Sequence, residues 1–133
     1  MQIVHIMTKH PENIGPHEVL RRAKEMMDIG GFRRLTVVLE GRIVGIITER
    51  DLREHAGYLD STRVDAVMKS PVLTVDSKTP VEDAARLMLS KKIGGMPVVD
   101  GGKLVGIVTS SDMLRALLSV IETVQRNSKQ SQV

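Results

Sequence analysis

The chain has 133 residues, few enough for one domain or for two small halves around a shared core. With 41% hydrophobic and 26% charged residues its composition is that of a soluble globular protein, and the absence of Cys excludes disulfides and thiolate metal sites. A formal net charge of +3 tolerates an anionic ligand but falls short of a dedicated DNA binder, and Phe32 and Tyr58, the only aromatic residues, leave nothing for base stacking.

In chain order, MQIVHIMTKHPEN lacks a signal-peptide layout and no apolar run approaches a membrane span, so a cytoplasmic protein without membrane contact is expected. A strand is expected near Glu12–Ile14, then a helix from Pro16 to about Ile29. Strands at Leu35–Leu39 and Arg42–Ile47 follow, joined by a turn at Glu40-Gly41, and a helix starts at Thr48. Residues 56–66 form a connection, with Val64–Met68 as a short helical turn. Val72–Val75 is strand-like. Thr79-Pro80-Val81-Glu82 opens a helix, with Thr79 and Glu82 as a capping box and Pro80 at the first helical position. Val81, Ala84, Ala85 and Met88 then make one apolar stripe, and Lys91 and Lys92 sit near the negative end of the helix. Met96–Val99 and Lys103–Val108 are strands around the turn Asp100-Gly101-Gly102. Thr109 begins the last helix, apolar on more than one face through Met113, Leu114, Leu117, Leu118, Val120, Ile121 and Val124. Arg126–Val133 is polar and reads as a loose tail.

This order occurs twice. An offset of 61 aligns residues 6–55 with 67–116 without a gap, pairing Met7 with Met68, Ala23 with Ala84, Met27 with Met88, Gly45 with Gly106, Thr48 with Thr109 and Asp51 with Asp112. The chain is a duplicated unit, one copy over residues 1–60, the second over 61–125, with 126–133 as the tail. Strand, helix, strand, strand, helix is an α+β pattern. One copy is too small to hide its own sheet face, so two β-α-β-β-α repeats packed sheet to sheet with pseudo-two-fold symmetry are expected.

Each repeat resembles a CBS domain (cystathionine beta-synthase domain), a unit that occurs in tandem pairs called Bateman modules. Repeat two carries Val67-Met68 and Pro71-Val72, then Gly94-Gly95-Met96-Pro97-Val98-Val99-Asp100, then Gly106-Ile107-Val108-Thr109-Ser110-Ser111-Asp112. Repeat one keeps Gly45-Ile46-Ile47-Thr48-Glu49-Arg50-Asp51 but has Arg33-Arg34-Leu35-Thr36 where repeat two has Gly94-Gly95-Met96-Pro97, and Pro11 falls one residue later than Pro71. The resemblance covers residues 6–117. It implies a module that binds AMP, ADP or ATP, with NAD or S-adenosylmethionine ranked behind them, in clefts between the repeats. It also implies a homodimer forming a flat four-domain disk and a regulatory role. With no enzyme attached to this sequence, the effector is expected to be a separate protein.

An adenosine ligand offers vicinal ribose hydroxyls that a carboxylate can accept together, and its phosphates suit a helix N-terminus with Ser or Thr hydroxyls. Thr-x-x-Asp at a strand-to-helix junction supplies both, at Thr48/Asp51 and Thr109/Asp112. The resemblance carries one ligand site to Thr109, Ser111 and Asp112 with Met7, His10, Glu12 and Phe32. It carries the second to Thr48, Arg50 and Asp51 with Met68, Pro71, Leu73, Ile93 and Gly94. Arg33 and Arg34, placed for phosphate in the first site, have only Gly94 and Gly95 as counterparts, so unequal sites are expected. The same Thr-x-x-Asp is also an ordinary helix cap, and both roles can coexist. The Met residues read as core filler, and His5, His10, His17 and His55 match no zinc spacing and read as surface residues.

No catalytic residue and no metal ligand is expected, because Ser110 and Ser111 lack a paired base and the carboxylates sit at caps. The module is therefore read as a ligand sensor rather than an enzyme, with no cofactor required. The alternative is a structural or nucleic-acid-associated interaction module that uses the fold without a small ligand. The last helix, with the Val19–Met27 helix, is the expected homodimer surface.

Overall fold

In the computed structural model, which describes residues 1–131, the two repeats build two three-stranded sheets. Repeat one contributes β2 (Asn13–Ile14), α1 (Leu20–Gly30), β3 (Arg34–Leu39), β4 (Arg42–Thr48) and α2 (Glu49–Glu54). Repeat two contributes α3 (Val81–Lys91), β5 (Gly95–Asp100), β6 (Lys103–Thr109) and α4 (Ser110–Ser131). The remaining strand, β1 (Thr8–Lys9), belongs to repeat one in sequence but pairs antiparallel with β6 of repeat two. The sheets run β2-β3-β4 and β1-β6-β5, and they meet with β4 near β6, the sheet-to-sheet packing expected of the duplicated pattern.

The duplication extends to backbone detail. Both hairpins carry a register shift at equivalent places, between Val37 and Val38 and between Val98 and Val99. Their turns hold two residues with positive φ: Glu40 and Gly41 at 51° and 79°, Gly101 and Gly102 at 55° and 80°. That pair of left-handed residues matches the twist of the flanking strands.

The lead-in segments are exchanged between the repeats. Residues 1–9 lie on repeat two: Gln2 bridges Pro80, the Ile3 amide donates to the Thr79 carbonyl, and Ile3 is fully buried in a core with Ala84, Met88, Met96, Val98 and Val108. The equivalent segment, residues 62–69, lies on repeat one: Arg63 bridges Val19, Lys69 bridges Ile46, and Val64 joins a core of Leu20, Ala23, Met27, Leu35, Val37 and Ile47. The sequence boundary near residue 60 is thus not a packing boundary.

This exchange shifts two helix starts. α1 begins at Leu20 rather than Pro16, because Val19 is held extended at ψ 156° by its bridge to Arg63. α3 begins at Val81 with Pro80 as its N-cap at ψ 139°, bridged to Gln2. The expected Thr79–Glu82 capping box is absent; the Thr79 hydroxyl donates instead to Asp76 Oδ1 at 3.3 Å. Val72–Val75 is not a strand but a single parallel bridge, Val75 to Val98. Pro97 stands where repeat one has Thr36 and has no N–H to hold the preceding residues. Val64–Ala66 forms the short helical turn.

α4 is longer than expected. Arg126 onward continues as helix to Ser131, so the tail is helical there, while Gln132 and Val133 lie outside the described residues. Leu114, Leu117, Leu118, Val120, Ile121 and Val124 are all exposed along it. Among the described residues, no helix is long and apolar enough to cross a membrane.

Candidate functional site

A cleft of about 750 Å³ opens where the two repeats meet, lined by residues of both. From repeat one come Thr8, His10, Pro11, Glu12, Gly31, Phe32, Arg33 and Arg34; from repeat two come Gly94, Ile107, Thr109, Ser110, Ser111 and Arg115. Of the residues expected in the first site, Thr109, Ser111, His10, Glu12, Phe32, Arg33 and Arg34 are brought together here.

The wall from repeat two is the N-terminus of the 22-residue helix α4, which presents the Ser110 and Ser111 side chains at the positive end of the helix dipole. The facing wall is the β2–α1–β3 side of repeat one. Gly31 ends α1 with φ 69°, a left-handed conformation that turns the chain directly into Phe32-Arg33-Arg34. The Phe32 ring packs over Gly30, where a Cβ would collide with it, and reaches the repeat-one core while edging the cleft.

The two arginines behave differently. Arg33 is exposed, with Nε 3.7 Å from Glu49 Oε2. Arg34 is half-buried and lies against its own pseudo-symmetric counterpart: a Cβ at Gly95 would sit 3.1 Å from Arg34 Cδ, and one at Gly94 2.7 Å from Nη2. An arginine fits at this axis only because the equivalent residues are glycine. The Arg34 guanidinium makes no hydrogen bond or ion pair among the described residues; burial, with Arg33 beside it, pushes its pKa down.

Asp112 and Met7, also expected in the site, lie behind the cleft wall. Asp112 is only 3% exposed. Its Oδ2 accepts from the Thr109 amide at 2.8 Å and hydroxyl at 3.1 Å, while the Thr109 hydroxyl faces the Asp112 amide at 3.4 Å. Its Oδ1 accepts from the Thr8 hydroxyl at 3.2 Å and from Arg115 at 2.6 Å, and both of those residues line the cleft. Met7 packs its sulfur beneath β6, where a Cβ at Gly106 would lie 2.6 Å away, and serves the repeat-two core. Met68 does the same beneath Gly45.

The residues expected in the second site are not gathered around one cavity in this way. Thr48 caps α2, and Asp51, 3% exposed, accepts from the Thr48 amide at 2.9 Å and hydroxyl at 3.0 Å. Its other oxygen holds Lys69 Nζ at 2.7 Å. Burial pushes the Asp51 carboxyl up, but Lys69 and the two Thr48 donors outweigh it and hold the group below the usual carboxylate range. Arg50 is exposed and 3.4 Å from Glu54. Leu73 is exposed and Ile93 is half-buried against the repeat-two core. Pro71 lies in a separate depression between the two hairpin turns, and Gly94 lines the first cleft instead of the second. Of the histidines, His5, His10 and His17 are exposed, while His55 is half-buried with Nδ1 2.8 Å from the Asp51 carbonyl oxygen.

Sequence reasoning does not reach Thr8, Lys69 and Arg115. The first two needed knowledge of the exchanged segments. Arg115 had a signal that passed unread: it stands three residues after Asp112 on one helix face.

A duplicated α+β unit, with a cleft at the seam and a Thr-x-x-Asp cap in each copy, defines a tandem-repeat module rather than two independent domains. The chain belongs to the CBS domain family, whose sequence pattern matches residues 3–58 and again 64–119. It is 34% identical to a CBS domain-containing protein of Dictyostelium discoideum, over 92% of this chain and 95% of that one. Three archaeal relatives are longer, and the chain spans only 31% to 48% of their lengths. Its fold is similar to the CBS domain pair of protein MJ0100, solved in complex with 5′-methylthioadenosine and S-adenosyl-L-methionine: TM-score 0.82, 29% identity, covering 90% of this chain and 97% of that one. CBSX2, solved in complex with AMP, gives a TM-score of 0.79 at 28% identity, with 90% and 97% of the two chains covered. This protein is a CBS-pair module.

Proposed function

We propose that this CBS pair is a cytoplasmic regulatory sensor, without catalytic activity of its own, that binds an adenosine nucleotide, AMP, ADP or ATP, in the cleft between its repeats. One observation carries the reading. Arg34 keeps a half-buried guanidinium without an anionic partner on one wall, and the N-terminus of α4 faces it from the other. A cation withdrawn from water and left unpaired is unfavourable, and a phosphate at the helix N-terminus would relieve it. Ser110 and Ser111 supply hydroxyls for the same phosphate, and Phe32 with Pro11 offers an apolar edge for the base. Solved relatives that hold AMP, or methylthioadenosine and S-adenosylmethionine, support a ligand of this class.

Ligand bound to both repeats would bias their packing, and a separate effector protein would read that change. A homodimer built on α4 and α1 would give the four-domain disk expected of such pairs.

The test is a thermal-shift screen with AMP, ADP, ATP, NAD and S-adenosylmethionine. The true ligand at a hundredfold excess over its Kd stabilises the fold by about 2.7 kcal/mol. Arg34→Ala should weaken ATP by about 2 kcal/mol, roughly 30-fold, and leave adenosine nearly unaffected. Equal losses for ATP and adenosine would count against a phosphate role for Arg34.

A second reading has its own support. Asp51 and Asp112, the two carboxylates suited to ribose, already hold helix caps and internal cations. That arrangement suits a structural interaction module without ligand. No shift with any adenosine compound would favour it, and salt-sensitive retention of DNA would favour a nucleic-acid role.

A further inference from the structure

The pseudo-two-fold relation lets the surroundings of Asp112 and Asp51 be compared position by position, and they differ in charge throughout. Thr8, whose hydroxyl donates to Asp112 Oδ1, is replaced at the offset of 61 by Lys69, whose ammonium is 2.7 Å from Asp51 Oδ1. Ser110 is replaced by Glu49, and Arg115 by Glu54. Arg33 and Arg34 are replaced by Gly94 and Gly95. The first set is cationic and opens on the cleft; the second mixes the carboxylates of Glu49 and Glu54 with Lys69 and with Arg50, which stands where the first has Ser111.

The Lys69 side chain is 67% exposed, as is that of Arg115, and what distinguishes Lys69 is where its backbone is held. Its backbone is clamped to β4 in both directions, its amide to the Ile46 carbonyl at 2.9 Å and its carbonyl to the Ile46 amide at 3.0 Å. The side chain therefore starts from a fixed point beside the carboxylate. Arg115, the ion-pair partner of Asp112, comes from the same helix and itself lines the cleft, so it can exchange the carboxylate for a ligand anion by a change of rotamer.

We propose that Lys69 is this chain's built-in occupant of the second ribose position, so that the module takes one adenosine ligand per chain rather than two. The proposal rests on the adenosine-ligand reading above, and its function is one of specificity: Asp51 is committed to clamping the lead-in of repeat two onto repeat one. An incoming diol at Asp51 would have to displace the Lys69 ammonium, 2.7 Å from Oδ1, and then meet Glu49, whose carboxylate already has Arg33 Nε 3.7 Å away.

The experiment is titration calorimetry with ATP and with AMP on the full chain and on the double variant Lys69→Thr, Glu49→Ser, which installs the counterparts of Thr8 and Ser110 at Asp51. The wild-type chain is expected to bind one equivalent and the variant two. Failure of a folded variant to gain an equivalent overturns the role of Lys69, and so does binding of two equivalents by the wild type. A wild-type chain that binds nothing would remove the functional reading, while a variant that then gains one site would still support Lys69 as the obstacle. Should the variant not fold, amide chemical shifts of the wild type decide the matter. Saturating ATP is expected to move Ser110 and Ser111 and to leave Glu49 and Arg50 in place; movement at both helix starts overturns the proposal.

Discussion

Thr36 is 1% exposed, and its hydroxyl has no hydrogen-bond partner, the one such buried side-chain atom among the described residues. It occupies the position of Pro97 in the other repeat, a place where neither copy needs a side-chain donor. An unsatisfied buried hydroxyl costs about 1–3 kcal/mol, so Thr36→Val, which keeps the shape and removes the polar atom, should stabilise the fold by about 1 kcal/mol. Urea unfolding measures this, and a lowered midpoint would mean that the hydroxyl has a partner after all. Gly45 and Gly106 also act at this scale. Their missing side chains make room for the Met68 and Met7 sulfurs, so these glycines hold each exchanged segment against its sheet.

At the scale of elements, α2 and α4 begin with the same Thr-x-x-Asp box but hold different partners. The α2 box carries a pH signature. The Asp51 carboxyl is held below its ordinary range by Lys69 and Thr48, so the folded state keeps the charge where an unfolded chain, at about pH 3.9, would take up a proton. A depressed carboxyl contributes stability that is complete above the unfolded pKa and fades as pH falls through the folded one. The stability difference between wild type and Asp51→Asn should therefore be constant from about pH 7 to 5 and shrink below about pH 4. Urea midpoints across that range measure it, and a difference that does not change with pH would show that the cap, not the charge, matters.

For the whole molecule, the surface question is α4. Leu117 and Ile121 are 53% and 43% exposed on one side of a helix whose neighbours Leu114, Leu118 and Val124 are also open. An isolated module would leave that stripe in water, and a second copy would cover it. Sedimentation should find a dimer that becomes monomeric with Leu117→Glu and Ile121→Glu; a chain cut after Met113 that still dimerised would assign the contact to α1 instead. The exchange of lead-in segments matters at the same scale. Each repeat's core is completed by residues from the other, Ile3 in one and Val64 in the other, so the two copies are expected to unfold together.

Duplication, the helices, both hairpins and the two Thr-x-x-Asp caps were legible in the sequence, because local periodicity and turn chemistry decide them, whereas β1 was not, and the strand at Val72–Val75 and the Thr79–Glu82 box did not form. The Arg33-Arg34 departure from Gly94-Gly95 was legible too, as was the inequality it implies for charge. The partner of each lead-in segment was not. Residues 1–9 and 62–69 carry the same pattern and could satisfy either sheet, and only long-range packing chooses. That choice put Thr8 and Lys69 beside the two carboxylates, turned Met7 away from the cleft and left Asp112 behind its wall. Composition and spacing say which groups a site can contain; which of them face one another depends on how distant segments share a core, and no local pattern encodes that.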